Sequence, residues 1–458
     1  MHDLTKGSLA RNLLQTTSFM LVGMVFQTLY FLVDLYFVGR LGKTAVAAVS
    51  VSGNLMFLVL ALTQTLGVGT TALVAQATGR KDRAEARLIF NQSQVLSLAV
   101  GVLFLVVMLA LRSGFAHGQS ADPETERLAG EYLAWFVPSL GAQFAMVATG
   151  AALRGIGDFK PGMYVQSATV IVNIILAPVL MFGWGTGHPL GVAGTALASF
   201  IAVGVGVVAL VIYVARTPGY LEFVRREWTP RLRLWIRLLK IGLPAGAEFG
   251  LMGVYMFAIY GITRPFGAAA QAGYGIGLRV VQAMFLPAVA LGFAVSPVAG
   301  QNFGARHADR VRGTFRVGVL MVSIGMAGCA LICRIIPETL VGIFSRDPGV
   351  LAVGGEYLRI VAWNFIPSGI VFVSSSMFQA LGNTLPPLLS SFIRTTLIVI
   401  PAVAFSRMTG FALNWIWYLA VGCVFLQMTL NLLFLQREYR RKLAFAATAS
   451  AAPRIAHG

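Results

Sequence analysis

The chain has 458 residues, of which 57% are hydrophobic and only 11% are charged, whereas about 25% of the residues in a soluble domain are charged. This composition excludes a soluble globular protein and indicates a polytopic membrane protein. The formal net charge of +18 would suggest a nucleic-acid partner in a soluble protein, but the positions of the basic residues give another explanation.

Twelve stretches of the chain are apolar and long enough to cross a bilayer as helices, which requires about 20 residues. We therefore predict an all-α polytopic membrane protein with twelve transmembrane helices. The spans lie approximately at residues 13–38, 46–78, 88–111, 129–152, 161–183, 190–215, 238–263, 268–300, 313–336, 350–378, 386–406 and 412–436.

The basic residues are concentrated on one side of these spans. With twelve spans, the connections alternate between two sides, and the side that includes both termini carries 24 Lys and Arg residues against 8 on the other. Because cytoplasmic loops are enriched in Lys and Arg, we expect both termini to be cytoplasmic. Membrane topology thus explains the net charge, and we expect no nucleic-acid partner.

An internal repeat with a fixed offset of 225 residues relates the two halves of the chain. Asp122 matches Asp347 and Gly157 matches Gly382, without a gap between the pairs. A fixed period indicates a structural repeat. Because the offset covers six spans, an even number, the two halves should be parallel repeats about an axis along the membrane normal, with a cleft between them.

The repeat divides the chain into two lobes of six helices each. We assign residues 1–215 to the first lobe, 216–240 to a cytoplasmic linker, 241–436 to the second lobe and 437–458 to a basic cytoplasmic tail. The linker contains WTPRLRLWIRLLK, a pattern typical of an amphipathic helix at a membrane surface.

No group of residues indicates an enzyme. The chain has no GxxxxGK[ST] motif for nucleotide phosphates, and its five histidines lie in loops or near the ends, without the spacing of a zinc site. We expect no enzymatic activity, no cofactor and no bound metal.

The acid that stands out lies in the first span, in LYFLVDLYFVGRLG. Asp34 interrupts an apolar run, and at helical spacing Gln27, Tyr30 and Phe31 lie on its side of the helix. A charged residue in hydrocarbon is costly and usually faces the protein interior or a water-filled cavity. The functional interpretation is an ion-coupling or substrate-binding group; the structural alternative is a buried carboxylate that neighbouring hydroxyls and amides satisfy.

Glu248 is the second intramembrane acid, near the start of the seventh span. It could serve in coupling, or it could form an internal ion pair with an arginine such as Arg279. Of the other arginines in spans, Arg359 is predicted to pair with Glu356, three residues earlier, and Arg394 to extend its charge toward the inner face.

A polar face in the fifth span carries Gln166, Thr169 and Asn173 at helical spacing. Such a face needs a protein or water partner, and the helix of Asp34 is the expected one. Tyr255 and Met256 in the seventh span offer soft, adaptable surface suited to varied ligands, although such side chains more often serve in packing.

Three segments resemble the multidrug and toxic-compound extrusion (MATE) transporters: VDLYFVGRLGKTAVAAVS, LRGIGDFKPGMYVQSATVIVNIILAPVLMFG and IGLRVVQAMFLPAVALGFAVSPVAGQNFGAR. The resemblance covers nearly the whole chain. It implies two six-helix lobes that form a V, and secondary active export of amphipathic, often cationic, compounds. Inward flow of H⁺ or Na⁺ would drive this export.

The resemblance also implies a coupling site in the first lobe. Its residues would be Asp34, Asn173 and Thr195, while Ala177 stands where the family has a second acid. Because Na⁺ prefers several oxygen ligands with charge, a site with one carboxylate favours H⁺. Glu248 takes a coupling role by resemblance only weakly.

The sequence therefore predicts a proton-coupled multidrug antiporter of the bacterial inner membrane, acting as a monomer. The predicted substrate-binding residues are Gln27, Tyr30, Phe31, Gln166, Tyr255, Met256 and Arg279. The alternatives are a flippase for a lipid-linked precursor, which would need a cationic cavity, and an exporter of one specific metabolite.

Overall fold

The computed structural model describes residues 3–51, 53–120, 122–185, 187–217 and 219–445, and in these ranges the regular secondary structure is helical. The helices of the first half are α1 (Leu9–Gly39), α2 (Lys43–Val51), α3 (Gly53–Gly79), α4 (Arg83–Gln119), α5 (Pro123–Gly155), α6 (Lys160–Phe182) and α7 (Val192–Arg216). Those of the second half are α8 (Leu232–Thr263), α9 (Ala268–Gly304), α10 (Ala308–Ile335), α11 (Pro337–Gly342), α12 (Pro348–Val361), α13 (Phe365–Ala380), α14 (Leu385–Phe405) and α15 (Asn414–Lys442).

Twelve of the described helical segments are long and apolar enough to cross a membrane, which confirms the predicted number of spans. The tenth span, Pro348–Ala380, consists of α12 and α13 joined by a 3₁₀ turn at Ala362–Asn364. The all-helical fold class predicted from the composition is therefore correct.

The backbone repeats special conformations at the offset of 225 residues. Lys81 and Arg306 both have φ of 60°, and Gly157 and Gly382 have φ of 81° and 72°. Non-glycine residues seldom adopt positive φ. Finding two of them at matched positions, each before a helix, indicates that the two halves use the same turns.

The same offset relates two helix caps. Asp122 accepts a hydrogen bond from the Thr125 backbone N–H at 2.9 Å, and Asp347 accepts one from the Val350 N–H at 3.0 Å. Each side chain thereby satisfies one of the unpaired donors at a helix N-terminus. The two caps differ because Thr125 also donates its hydroxyl hydrogen to Asp122, at 2.7 Å.

The described chain forms two compact units. The first residues of each half of the chain belong to the unit that the other half forms. Unit 1 contains Ser18–Gly246, whereas unit 2 contains Leu4–Thr17 together with Ala247–Gly458. Helices α1 and α8 are therefore each divided between the units. In unit 1, α5 packs against α3, α4 and α7; in unit 2, α9 packs against α10, α12 and α13.

Small residues let α8 pack very closely on α3 within unit 1. A Cβ atom at Gly242 would overlap the Thr65 carbonyl oxygen, and one at Gly246 would overlap the Thr65 hydroxyl. On the α3 side, a Cβ at Gly69 would overlap the Leu238 carbonyl oxygen. Close backbone approach through small residues is a common way for membrane helices to associate.

Two buried amides of α4 hold the segment that precedes α8. Asn91 accepts hydrogen bonds from the Val224 N–H and the Trp228 indole, and it donates to the Glu222 carbonyl oxygen. Gln92 bonds to the backbone of residues 227, 229 and 231. The segment WTPRLRLWIRLLK, predicted to form an amphipathic surface helix, is helical from Leu232 onward, and this helix continues as α8 into the seventh span.

The segment that precedes α1 is held in the same way, but by unit 2. Leu4 is fully buried; its N–H donates to Gln301, and its carbonyl oxygen accepts from Asn302. Arg310 donates to Asn302 and to the carbonyl oxygens of residues 4, 6 and 7. Leu4 thus belongs to the core of unit 2.

Candidate functional site

Asp34 lies in the last third of α1 and is half-buried. Its Oδ1 atom is buried and has no hydrogen-bond partner among the described residues, where Asp34 also forms no ion pair. Tyr30 precedes it by one helical turn on α1. The structural alternative, a carboxylate that its neighbours fully satisfy, therefore does not describe this oxygen.

A hydroxyl that the sequence analysis missed joins three helices beside Asp34. Ser199 of α7 donates to the Thr195 carbonyl oxygen at 3.1 Å and accepts from Asn173 Nδ2 of α6 at 3.2 Å. The Tyr30 hydroxyl lies 2.6 Å from Ser199 Oγ. Because the Ser199 hydrogen is used on Thr195, Tyr30 is the donor in this pair.

The network brings together only part of the predicted coupling set. Asn173 and Thr195 are buried and meet at Ser199, but the Thr195 hydroxyl has no partner in the described structure. Ala177, at the position of the missing second acid, is 1% exposed. Serine follows Thr195 by one helical turn, and this i, i+4 spacing is the sequence signal that could have found Ser199.

The helix of Asp34 was the predicted partner of the polar face in α6, but Thr169 and Asn173 bond elsewhere. The Thr169 hydroxyl donates to the Gln166 carbonyl oxygen of its own helix, and Asn173 finds its partner on α7. Gln27 is exposed on α1, and Gln166 is half-buried. Phe31 lies in α1, but its side chain is outside the described part of the structure.

In unit 2, Glu248 lies in a second polar cluster. Glu248 Oε1 accepts a hydrogen bond from the Ser391 hydroxyl of α14 at 2.9 Å, and Gln427 Nε2 of α15 donates to Ser391 Oγ at 2.9 Å. The Arg394 guanidinium lies over the Tyr255 ring, 5.9 Å from its centroid. Arg394 lies near Glu248, but the two form no ion pair within 4.0 Å in the described part of the chain.

Three expectations about arginines are corrected. Arg279 is exposed and forms no ion pair with Glu248 in the described structure; the arginine near this acid is Arg394, which faces Tyr255 rather than extending away from the cluster. Arg359 pairs with Glu338 of α11 at 2.6 Å, not with Glu356. The tertiary fold brings α11 to Arg359, which spacing within one helix could not reveal.

Met256 is half-buried on α8. A cavity of about 500 Å³ lies between α8 and α14, lined by Ala247, Gly250, Leu251, Val254, Leu385, Leu388, Leu389 and Phe392. This lining is apolar and offers no group for a substrate's charge. Within the described ranges, no group of three or more His, Cys, Asp or Glu side chains could hold a metal ion.

Comparisons with known proteins agree with this architecture. The MatE family model matches residues 20–179 and 244–405, once in each half. The chain is 27% identical over 403 residues to "Probable multidrug resistance protein YoeA" of Bacillus subtilis, covering 87% of each chain. It is 28% identical over 419 residues to "Probable multidrug resistance protein NorM" of Thermotoga maritima, covering 90% of this chain and 88% of that protein.

A solved structure described as the outward-facing conformation of a multidrug resistance MATE family transporter has the same fold. It superposes with a TM-score of 0.89 at 22% identity and covers 96% of this chain and 98% of its own. This likeness confirms the predicted twelve-helix architecture.

Proposed function

Because this chain belongs to the multidrug and toxic-compound extrusion (MATE) family of transporters, we propose that it exports amphipathic, often cationic, organic compounds in exchange for protons. Its relatives are named multidrug resistance and multidrug export proteins, which supports multidrug efflux. The observation that carries the coupling proposal is the buried oxygen of Asp34 without a partner.

Asp34 is the proton carrier in this proposal. Burial disfavours the charged form of a carboxyl group, and no hydrogen bond or cation among the described residues stabilises charge on its Oδ1. Protonation removes a charge from the interior of unit 1. The neutral and ionised forms then favour different conformations of the unit, so that a proton gradient shifts the population between them.

The Tyr30–Ser199–Asn173 hydrogen bonds would couple the protonation of Asp34 to the positions of α6 and α7. Tyr30 lies one turn from Asp34 and donates to Ser199, which bonds to both Asn173 and Thr195. A change of charge at Asp34 acts directly on the Tyr30 hydroxyl. We therefore assign Asp34 to proton binding, and Asn173, Thr195 and Ser199 to positioning.

The oxygen ligands favour H⁺ over Na⁺ in this unit. A hard cation needs several oxygen ligands, usually with more than one charge to offset dehydration. The predicted coupling set of unit 1 has one carboxylate, Asp34, with Ala177 in place of a second acid. Glu248, the other predicted coupling acid, accepts a hydrogen bond from Ser391, whereas Asp34 Oδ1 is buried without a partner, and we therefore place coupling at Asp34.

Substrate contacts are proposed for residues of both units. In unit 1 these are Gln27, Tyr30, Phe31 and Gln166; in unit 2 they are Tyr255, Met256 and Arg279. Aromatic rings and methionines accommodate varied apolar shapes, and a ring face attracts organic cations. We place the protein in the bacterial inner membrane as a monomer with both termini cytoplasmic.

The test is export of ethidium by purified protein in liposomes under an imposed pH gradient. Asp34→Asn should bind ethidium but lose pH-driven transport. The matched control is Asp158→Asn, which alters another buried acid of unit 1, one that accepts a hydrogen bond from Tyr213 at 2.7 Å. Transport by Asp34→Asn at the normal rate and with normal pH dependence would place the coupling site elsewhere.

The coupling ion is tested by Ala177→Asp. Restoring a second acid one turn from Asn173 supplies another charged ligand, so transport should become more dependent on a Na⁺ gradient. A wild-type protein already driven by Na⁺ at constant pH would contradict proton coupling.

A further inference from the structure

Arg154 is an arginine of unit 1 whose side chain has no partner among the described residues. It lies in the last turn of α5, which is the fourth candidate span, and is half-buried. Its guanidinium forms no hydrogen bond and no ion pair with another described residue. A charged side chain within a membrane span usually pairs with another group or marks a substrate pathway. Its partner is therefore to be sought outside the described chain.

The guanidinium of Arg154 lies along α5 and not beyond the end of this helix. The end of α5 is level with Val74 of α3, because a Cβ at Gly155 would overlap the Val74 side chain. The guanidinium lies beside Gly67, where a Cβ would be 3.9 Å from Arg154 Nη2. Gly67 precedes Val74 by about 10 Å of helix at 1.5 Å per residue. Arginines near helix ends usually extend outward to the interface, whereas Arg154 extends inward.

Two glycines leave space beside this guanidinium. A Cβ at Gly150, one turn before Arg154, would lie 3.6 Å from Nη1 and would meet no other described atom within 4 Å beyond the backbone of its own helix. At Gly67 a Cβ would also meet Val147 Cγ1 at 3.4 Å. A small planar oxyanion can therefore approach the nitrogens from the side of Gly150.

Two amides continue this side of α3 and α5. Gln64 precedes Gly67 by three residues, and Gln143 precedes Gly150 by seven, so each shares a helix face with that glycine. Both glutamines are half-buried. An amide both donates and accepts hydrogen bonds, so these faces suit a ligand that carries polar groups besides its anionic one.

We propose that Arg154 binds the carboxylate of amphipathic substrates in unit 1, so that the compounds this protein exports include zwitterions. A guanidinium binds a carboxylate through two parallel hydrogen bonds, and the pair balances the charge of the arginine. A purely cationic compound makes no use of this contact. The inference rests on the proposed function, because it assumes that the protein binds amphipathic organic compounds.

The experiment compares two dyes that differ in one group. Rhodamine B carries a free carboxylate, and its ethyl ester has the same rings and cationic charge without the anion. Binding to the purified protein in uncharged detergent is measured by fluorescence anisotropy. Arg154→Gln should raise the Kd of rhodamine B about tenfold, since it removes charge-assisted hydrogen bonds. The Kd of the ester should stay unchanged.

The matched control is Arg216→Gln. This residue is likewise an arginine in the last turn of its helix, α7, but it is exposed, and its loss should change neither Kd. If Arg154→Gln does not fold, Arg154→Lys replaces it. Lysine keeps the charge without the planar fork, and should weaken rhodamine B and not the ester. Equal weakening of both dyes, or an unchanged Kd for rhodamine B, would overturn the proposal.

The phosphate of an anionic lipid is the other source of an oxyanion in a membrane. Phosphatidylglycerol added to the micelles should leave the selective effect of Arg154→Gln in place. If this lipid displaces rhodamine B from the wild-type protein and leaves the ester bound, the site holds a lipid phosphate and the assignment to substrates is wrong. If neither the dyes nor ethidium bind, the proposed function fails; if ethidium and the ester bind but rhodamine B does not respond to Arg154, only this inference fails.

Discussion

The two units repeat a backbone but treat their intramembrane acids differently. In unit 1 Asp34 has a buried oxygen without a partner, whereas in unit 2 Glu248 accepts a hydrogen bond from Ser391 and lies near Arg394. At the offset of 225 residues, the counterpart of Asp34 is Ile259 and the counterpart of Glu248 is Gly23. Neither acid has an equivalent in the other half.

This difference shows that the repeat keeps turns and caps while polar chemistry is placed separately in each half. Positive φ values recur at matched positions, because the loop geometry that joins helices depends on few residues. A charged residue is costly in a membrane interior and usually has a functional role there. A buried acid whose oxygen lacks a partner loses least when it binds a proton, whereas an acid that accepts a hydrogen bond also loses that bond's charge assistance.

The largest expected effect comes from removing each acid in turn. Asp34→Asn should abolish pH-driven export, whereas Glu248→Gln should leave the pH dependence of transport in place even if its rate and Tm fall. The reason is that Asp34 Oδ1 is buried without a partner, whereas Glu248 accepts a hydrogen bond from Ser391. Transport rates measured in liposomes over a series of pH gradients check this, and loss of pH dependence in Glu248→Gln would remove the contrast between the units.

The second effect concerns how each unit holds the first helix of the other half. In unit 1, Gly242 of α8 packs on Thr65, where a Cβ would overlap a backbone oxygen; the counterpart of Gly242 in α1 is Thr17. Gly242→Ala should therefore destabilise the protein by about 3 kcal/mol through overpacking, measured as a fall in Tm and in yield. Gly253→Ala, in open space on the same helix, is the control and should be close to neutral.

Much of the architecture could be predicted from the sequence because membrane helices carry a strong local signal. Hydropathy identified the twelve spans, and the offset between Gly157 and Gly382 identified turns that the backbone repeats. The lobe boundaries at residues 215 and 241 stay predictions. The structure places residues 219–240 within unit 1. The sequence could not show this, because the contacts of Asn91 and Gln92 with these residues are long-range and leave no periodic pattern.

The site could be predicted only in part, for the same reason. Asp34, Asn173 and Glu248 were identified because polar residues in apolar spans are rare. Ser199 and Ser391 were missed, since a single serine in a membrane helix is common and usually bonds to its own backbone. The i, i+4 spacing of Ser199 from Thr195 indicates a shared helix face, but the sequence does not show which helices pack on that face.

A third, smaller effect should distinguish the buried amides of Asn91 and Asn302, which hold the segments before α8 and α1. Asn91→Ala removes several bonds to the segment before α8 and leaves the Trp228 indole unpaired, at a cost of about 1–3 kcal/mol. Asn302→Ala should cost less, because Arg310 still binds Leu4 and its neighbours. Limited trypsin digestion measures both: cleavage after Arg225 should accelerate in Asn91→Ala and not in Asn302→Ala. Equal acceleration in both variants would contradict this.

The smallest effect concerns the two aspartate caps, which differ by one hydroxyl. The hydroxyl of Thr125, together with its backbone N–H, lowers the pKa of Asp122 below its ordinary value because both donate to the ionised carboxylate. A lowered pKa in the folded state gives stability that is present above the ordinary value and is lost as the pH falls through the folded value. Thr125→Val should raise the pKa of Asp122 toward its ordinary value, so that the stability this carboxylate contributes near neutral pH is smaller and its loss on acidification is complete at a higher pH. The reciprocal Val350→Thr gives Asp347 the same donor and should raise the Tm near neutral pH, a gain that disappears on acidification. Thermal unfolding measured across the acidic range checks both variants, and shifts in the same direction would show that the hydroxyl does not set the difference between the caps.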